Sequence, residues 1–175
     1  MPIIEIRMAE ESEIAILKSA KKWVKTPGLV DLQVNGFGGV DFNTPGITQN
    51  SLEHALEAML ASGVTTCLPT IITASETHLQ SCLADLETAR NFSALAKSMI
   101  AGYHLEGPFL STIPGFSGCH PVQEIGAINP EMFSCLQDSA GGNIRLLTLA
   151  PEVDGALAFI DKLVLDGIIV ALGHT

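Results

Sequence analysis

Positively charged residues are scarce in this sequence. Its 175 residues contain 9 Lys and Arg against 19 Asp and Glu, which gives a formal net charge of −10 at pH 7. Nucleic acids and anionic membrane surfaces select proteins with cationic faces. We therefore predict neither a nucleic-acid partner nor a membrane partner, although a few local donors would be enough to hold a small anionic ligand.

The sequence also lacks paired cysteines and long apolar runs. No C-x-x-C spacing occurs, so neither a zinc ribbon nor a thioredoxin-like motif is predicted. Residues 1–26 do not have the basic-then-apolar layout of a secretion signal, and scattered thiols without such a signal are typical of the reducing cytoplasm. The most apolar segment, 163–172, is interrupted by Asp166 and Gly167 and is too short to span a bilayer. The four cysteines are Cys67, Cys82, Cys119 and Cys135.

The sequence does contain a regular alternation of apolar segments and helical stripes. Leu52, Leu56, Met59 and Leu60, for example, have the spacing of one helix face. Asn129 followed by Pro130 is a typical helix start. We predict strands at 28–34, 64–72, 99–105, 144–150 and 168–173, and helices at 50–62, 75–86, 129–136 and 155–167.

The predicted strands are continuously apolar, which is typical of a parallel sheet covered on both faces. Strand–helix alternation indicates right-handed βαβ units, which build either a doubly wound sheet or part of a (β/α)8 barrel. An open sheet gathers its site residues at one switch point, whereas a barrel collects them from all strand ends. Polar residues follow all five strands here: Gln33, Asn35, Thr70, Thr73, His104, Glu106, Glu152 and His174.

We therefore predict an α/β fold in which residues 27–175 form a partial (β/α)8 TIM barrel, with about five parallel strands and helices outside. Five strands do not close a barrel. The first and fifth strands are consequently expected to be open edges with apolar faces, which is a pairing hazard.

The stretch GYHLEGPFLS, residues 102–111, contains the most unusual strand end. A buried carboxylate costs several kcal/mol, by order of magnitude, unless it is paired or binds a metal. Glu106 is therefore expected either to meet water or to have a partner. His104 lies on the same face of the strand, where it either touches the site or is a structural histidine.

Six motifs carry a resemblance to a known family: PGLVDLQVNGFGGVDFN, GVTTCLPTIIT, GYHLEGPFLS, SGCHP, LAPE and GHT. In this order they resemble the N-acetylglucosamine-6-phosphate deacetylases, which are metal-dependent amidohydrolases with a (β/α)8 barrel. The resemblance covers residues 27–175, whereas residues 1–26 do not resemble the small β-domain of the family. It implies hydrolysis of N-acetylglucosamine 6-phosphate to glucosamine 6-phosphate and acetate.

The resemblance also implies roles for individual residues. Glu106 and His174 match metal ligands, and His120, with Cys119 beside it, matches a contact to the phosphosugar substrate. Gln33 and Asn35 occupy the place where many amidohydrolases have a pair of metal-binding histidines. Because neutral amides are poor zinc ligands, the site is expected to hold one divalent ion, zinc, rather than two. His54 and His78 lie on predicted helices and are expected at the surface.

Part of the family's machinery is expected beyond Thr175. There the family has a third metal ligand, a His after strand six, and a general-base Asp after strand eight. No catalytic residue is therefore assigned to this chain, which is expected to be inactive alone. It would be an enzyme fragment, a degenerate relative, or a half completed by a second chain, such as another copy of itself. A non-catalytic phosphosugar-binding or assembly module is the alternative function. A third possibility, an amidohydrolase acting on a cyclic amide, is disfavoured by Gln33, Asn35 and the HLEGP element.

Overall fold

A computed structural model describes residues 27–175, so the predicted separate segment 1–26 lies outside the described residues. The main sheet has five strands: β1 (Leu29–Val34), β4 (Val64–Ile72), β5 (Tyr103–Glu106), β6 (Ile144–Leu149) and β7 (Ile169–Leu172). They are all parallel and lie side by side in the order β1-β4-β5-β6-β7. A short antiparallel hairpin, β2 (Gly36–Phe37) and β3 (Val40–Asp41), follows β1.

Five α-helices lie between the strands: α1 (Gln49–Ala61), α2 (Glu76–Phe92), α3 (Ala94–Met99), α4 (Pro130–Ser139) and α5 (Ala156–Leu165). Thr48 and Ser51 cap α1 reciprocally, and the side chain of Asn129 accepts a hydrogen bond from the backbone N–H of Met132 to cap α4. Each long helix buries an apolar face against the sheet, as Leu52 and Leu56 do on α1. None of the helices in residues 27–175 has both the length and the apolar character that a membrane crossing requires.

One predicted strand begins in the wrong place. We expected a strand over 99–105, but Met99 ends helix α3, and β5 begins only at Tyr103. The hydroxyl of Ser93 accepts a hydrogen bond from the N–H of Ala96 and so begins an extra helical turn. An apolar run does not by itself distinguish a short buried helix from a strand. The other strands agree with the prediction to within a residue at each end.

The sheet is strongly curved. Nδ1 of His104 on β5 lies 3.1 Å from the carbonyl oxygen of Leu32 on β1, although β4 separates these two strands. In a flat sheet, strands two positions apart are about 9.5 Å from each other, which is beyond the reach of this contact. The curvature, the parallel order and the outer helices confirm the predicted partial barrel.

The two edge strands leave apolar side chains in contact with solvent. On β1, Leu29 and Leu32 are each 56% exposed, and on β7, Ile169 is 66% and Leu172 62% exposed. The central strand β5, by contrast, is buried throughout. The expected open edges are therefore present within the described residues.

Candidate metal centre

Three side chains of kinds that can bind a metal ion meet at the carboxyl end of the sheet. Glu106 is the last residue of β5, His120 lies in the loop that follows, and His174 follows β7. One ligand atom from each lies within 4.8 Å of the other two, and no other such group of three His, Cys, Asp or Glu occurs in residues 27–175. Parallel strands bring their carboxyl ends to one edge, which explains why residues so distant in sequence meet.

Glu106 is oriented by an amide from the first strand. The side-chain amide of Gln33 donates a hydrogen bond to Oε2 of Glu106 over 2.9 Å. The other carboxylate oxygen, Oε1, then faces both histidines: Nε2 of His174 lies 3.1 Å away and Nε2 of His120 lies 3.8 Å away. Glu106 is buried, at 8% exposure, so its charge needs a partner.

His174 faces this carboxylate with one ring nitrogen and a backbone carbonyl with the other. Its Nδ1 lies 2.9 Å from the backbone carbonyl oxygen of Phe116, and a carbonyl only accepts, so Nδ1 carries the proton. In the neutral ring, Nε2 is then an acceptor. Two acceptors 3.1 Å apart, Nε2 and Oε1 of Glu106, need a proton or a cation between them. A histidine that binds metal through Nε2 while Nδ1–H bonds a carbonyl is the usual arrangement in metal sites.

The backbone at His174 is unusual as well. It has φ = +57°, in the left-handed region that few residues other than glycine adopt. The backbone N–H of Ser111 donates a hydrogen bond to the carbonyl oxygen of His174 over 3.1 Å. The backbone N–H of Gly173 donates to the carbonyl oxygen of Leu149 over 3.1 Å. These bonds hold the imidazole against the loop that carries His120; strain of this kind is concentrated at functional sites.

His120 is held by a short relay of hydrogen bonds. Its Nδ1 lies 2.8 Å from Oγ1 of Thr73, and the Thr73 hydroxyl donates to the backbone carbonyl of Glu106 over 3.2 Å. Burial lowers the pKa of His120, an effect that the carboxylate of Glu106 opposes. The imidazole packs edge-to-face on that of His174, with ring centroids 4.4 Å apart.

His104 has a structural role. Its Nδ1 faces the carbonyl of Leu32, and its Nε2 lies 2.8 Å from the hydroxyl of Thr148 on β6. Both ring nitrogens are thus engaged beneath the centre, and burial lowers the pKa of this histidine, which favours the neutral ring. Of the two possibilities that the sequence left open, the contacts favour the satisfied core histidine.

The remaining candidates lie outside the three-residue cluster. Asn35 is exposed, and its backbone carbonyl accepts from the N–H of Phe42. Cys119 is an exposed free thiol. His54 on α1 is exposed, as expected, whereas His78 on α2 is half-buried, with its Nε2 2.8 Å from the carbonyl of Asn43.

Thr73 contacts two of the three clustered residues, a role that its sequence position does not predict. It directly follows β4, so its place among the polar strand ends was the available signal. Its hydroxyl is buried, and it joins the backbone of Glu106 to the imidazole of His120. The sequence alone does not indicate that a threonine side chain bridges two loops.

Within residues 27–175, the basic side chains belong to the opposite end of the sheet. Four basic residues occur in residues 27–175, and none follows the carboxyl end of a strand. Three lie in the second half of a helix and one at the start of β6, positions that face the amino ends of the parallel strands. These residues are Arg90, Lys97, Lys162 and Arg145.

Comparison with known proteins extends these observations. Residues 24–165 match the amidohydrolase family. The chain is 35% identical over 159 residues to the N-acetylglucosamine-6-phosphate deacetylase of Caenorhabditis elegans, covering 87% of this chain and 37% of that protein. It is 37% identical over 150 residues to the N-acetylgalactosamine-6-phosphate deacetylase of Shewanella sp. (strain ANA-3), covering 85% of this chain and 36% of that protein.

Solved structures agree in fold. A mutant of the Mycobacterium smegmatis N-acetyl-D-glucosamine-6-phosphate deacetylase, in complex with N-acetyl-D-glucosamine-6-phosphate, matches with a TM-score of 0.74 and 35% sequence identity. The match covers 85% of this chain and 37% of the solved chain. This chain thus spans little more than a third of the length of the curated relatives it matches.

Proposed function

The chain belongs to the amidohydrolase family, and we propose that it carries the metal-binding part of an active site that deacetylates an N-acetylated amino-sugar 6-phosphate. In this proposal Glu106 and His174 hold one divalent ion, and the substrate is N-acetylglucosamine 6-phosphate. The observation that carries the proposal is the approach of Nε2 of His174 to Oε1 of Glu106, at 3.1 Å. The naming of the relatives as amino-sugar phosphate deacetylases supports the substrate class.

The donor set suits zinc. Imidazole nitrogen and carboxylate oxygen are ligands that zinc accepts readily, and here Nε2 of His174 is aimed at the carboxylate of Glu106 while its Nδ1 lies against the carbonyl oxygen of Phe116. Bound there, a divalent ion would act as a Lewis acid toward the acetamide carbonyl. The protein's part is to hold Oε1 free, which Gln33 does by bonding the other carboxylate oxygen.

The proposed substrate contacts come from the loop after β5. Cys119 and His120 are proposed to face the sugar, as the resemblance implies. The 6-phosphate would need donors other than Lys or Arg from residues 27–175, because their basic side chains lie at the far end of the sheet. Since the relatives include deacetylases of both the glucosamine and the galactosamine series, both sugars belong in any assay.

The free state of all four cysteines supports a reducing, cytoplasmic compartment.

Acetate release from N-acetylglucosamine 6-phosphate and N-acetylgalactosamine 6-phosphate tests the proposal. The chain alone is expected to give no turnover. A fusion to the remaining part of the C. elegans deacetylase, joined at the end of the 159 matched residues, is expected to release acetate and the free amino sugar phosphate in equal amounts. The same fusion with Glu106→Gln is the control. A folded fusion that releases no more acetate than this control would contradict the assignment.

A non-catalytic binding or assembly module is the alternative function, and the exposed apolar residues of the edge strands favour it. Leu32 on β1 and Leu172 on β7 lie at opposite edges of the sheet, and both are more than half exposed. An assembly that buries both edges would remove this surface from water. Sedimentation of the purified chain tests it: a well-folded monomer at micromolar concentration counts against the assembly module.

A further inference from the structure

We propose that Asn35 is a site of spontaneous covalent modification, at which the folded protein loses a side-chain amide through a cyclic imide formed with Gly36. Asn35 lies in the bend between β1 and the β2–β3 hairpin, outside the three-residue cluster. The inference is independent of the proposed function, because it involves neither a bound ion nor a substrate.

The reaction needs only water and hydroxide. Hydroxide removes the backbone amide proton of Gly36, and the nitrogen then attacks Cγ of the Asn35 side chain. The new N–C bond closes a five-membered succinimide ring, and the side-chain nitrogen leaves as ammonia. Water adds to one of the two imide carbonyls and opens the ring, which gives either aspartate or isoaspartate. Ring closure therefore requires an unbonded side-chain amide, followed by a residue whose backbone nitrogen is unbonded and unhindered.

The side chain of Asn35 meets the first requirement. The residue is exposed, and its hydrogen bonds within residues 27–175 use only the backbone carbonyl oxygen. That oxygen accepts from the N–H of Phe42 over 2.9 Å and from the side-chain amide of Asn43 over 3.3 Å. Within this part of the chain, the amide of Asn35 has no bond to break before Cγ turns toward Gly36.

The backbone nitrogen of Gly36 meets the second requirement. Gly36 lies opposite Asp41 in the hairpin, and opposed residues of an antiparallel pair alternate between bonded and non-bonded pairs. Because Asn35 and Phe42 are hydrogen-bonded, the next pair is a non-bonded one, and the ladder does not use the N–H of Gly36. A Cβ at Gly36 would collide with the carbonyl oxygen of Val40. The hairpin thus requires the glycine that leaves this nitrogen unhindered.

The other five asparagines of the chain each lack at least one of these features, and none is followed by glycine. Asn129 precedes Pro130, which has no N–H. Asn50 is exposed, but the N–H of Ser51 donates to Oγ1 of Thr48 over 3.2 Å. The remaining three have side-chain amides that donate hydrogen bonds within residues 27–175: Asn43, Asn91 and Asn143.

Conversion at Asn35 alters the main chain of the hairpin. Isoaspartate lengthens the main chain by one methylene and turns the carbonyl that accepts from Phe42 and Asn43 into a carboxylate outside the main chain. Either product adds one negative charge to a chain that already has a net charge of −10. The isoaspartate form is therefore expected to hold the hairpin less firmly and to unfold at a lower urea concentration.

Peptide mapping by mass spectrometry tests the inference on the folded 175-residue chain, incubated at neutral and at mildly alkaline pH. Asn35 is expected to lose its amide at least about 10-fold faster than any other asparagine, a difference of about 1.4 kcal/mol in activation free energy. The rate should rise in proportion to the hydroxide concentration. Isoaspartate is detected separately, by methyl transfer from S-adenosylmethionine with an isoaspartyl methyltransferase. Asn35→Gln should abolish this methylation, because glutamine would have to close a six-membered ring, whereas Asn50→Gln, the matched control, should leave it unchanged.

The same incubation in denaturing guanidinium chloride separates the effect of the fold from that of the local sequence. The folded chain is expected to lose the amide of Asn35 at a rate within about 10-fold of the unfolded chain, because the fold leaves both reacting groups unbonded. If the folded chain keeps this amide while the unfolded chain loses it, the hairpin protects Asn35 and the inference is wrong. Equally fast loss at another asparagine, or methylation that persists in Asn35→Gln, would also contradict it.

Discussion

Gly107 is the residue whose replacement tests most directly how the site is built. It follows Glu106 and has φ = +85°. A Cβ at this position would collide with Oγ1 of Thr73 and would lie 3.1 Å from the side chain of Leu110. Gly107→Ala therefore combines an unfavourable backbone conformation with a steric overlap at the group that orients His120.

The loss of unfolding free energy expected for Gly107→Ala has two parts, and a matched control variant separates them. Gly39, in the turn between β2 and β3, has the same φ of +85°, and a Cβ there would meet nothing within 4 Å. Gly39→Ala should lower the free energy of unfolding by the conformational cost alone, about 1–2 kcal/mol. Gly107→Ala adds overpacking of a buried site, about 1–3 kcal/mol, for a total of about 2–5 kcal/mol.

Urea unfolding of the two variants and of the unaltered chain measures both values. Gly107→Ala should be the less stable variant by about 1–3 kcal/mol, because the added Cβ overlaps the side chain of Thr73. Equal losses in the two variants would refute the reasoning, since they would mean that the space between Gly107 and Thr73 is not filled as described.

Two further predictions concern buried polar groups. The hydroxyl of Tyr103 donates to Oε2 of Glu87 over 2.8 Å, so Tyr103→Phe should lower the free energy of unfolding by about 1–3 kcal/mol in urea; a change within error would mean that the bond contributes nothing net. Burial raises the pKa of the Cys67 thiol to about 12 and that of Cys82 to about 11. The unfolded chain releases these thiol protons from about pH 9 upward, whereas the folded chain keeps them to about pH 11–12. The two thiols should therefore leave the free energy of unfolding unchanged below pH 9 and lower it as the pH rises toward 11–12. In Cys67→Ala the free energy of unfolding should fall less steeply with pH, and a slope equal to that of the unaltered chain would contradict this prediction.

Much of the fold was predictable because each element carries a local signal. The β-branched segment from Val64 to Ile72 has the bounds of β4, and Asn129 and Pro130 mark the start of α4. These signals depend on backbone preference and capping within a few residues. The start of β5 was mispredicted because Met99 is apolar and buried in either structure, so burial did not distinguish a strand from the short helix α3.

The sequence by itself determined the order of the units, the parallel sheet, and the position of Glu106 at a strand end, because periodicity and capping act locally. Only the tertiary structure decided that His104 is satisfied within the core, and that His120, from a long loop, lies beside Glu106 and His174. It also decided which nitrogen of each imidazole faces the carboxylate. These properties depend on the curvature of the sheet and on single hydrogen bonds from Thr73 and Phe116, and such contacts between distant segments leave no periodic pattern in the chain.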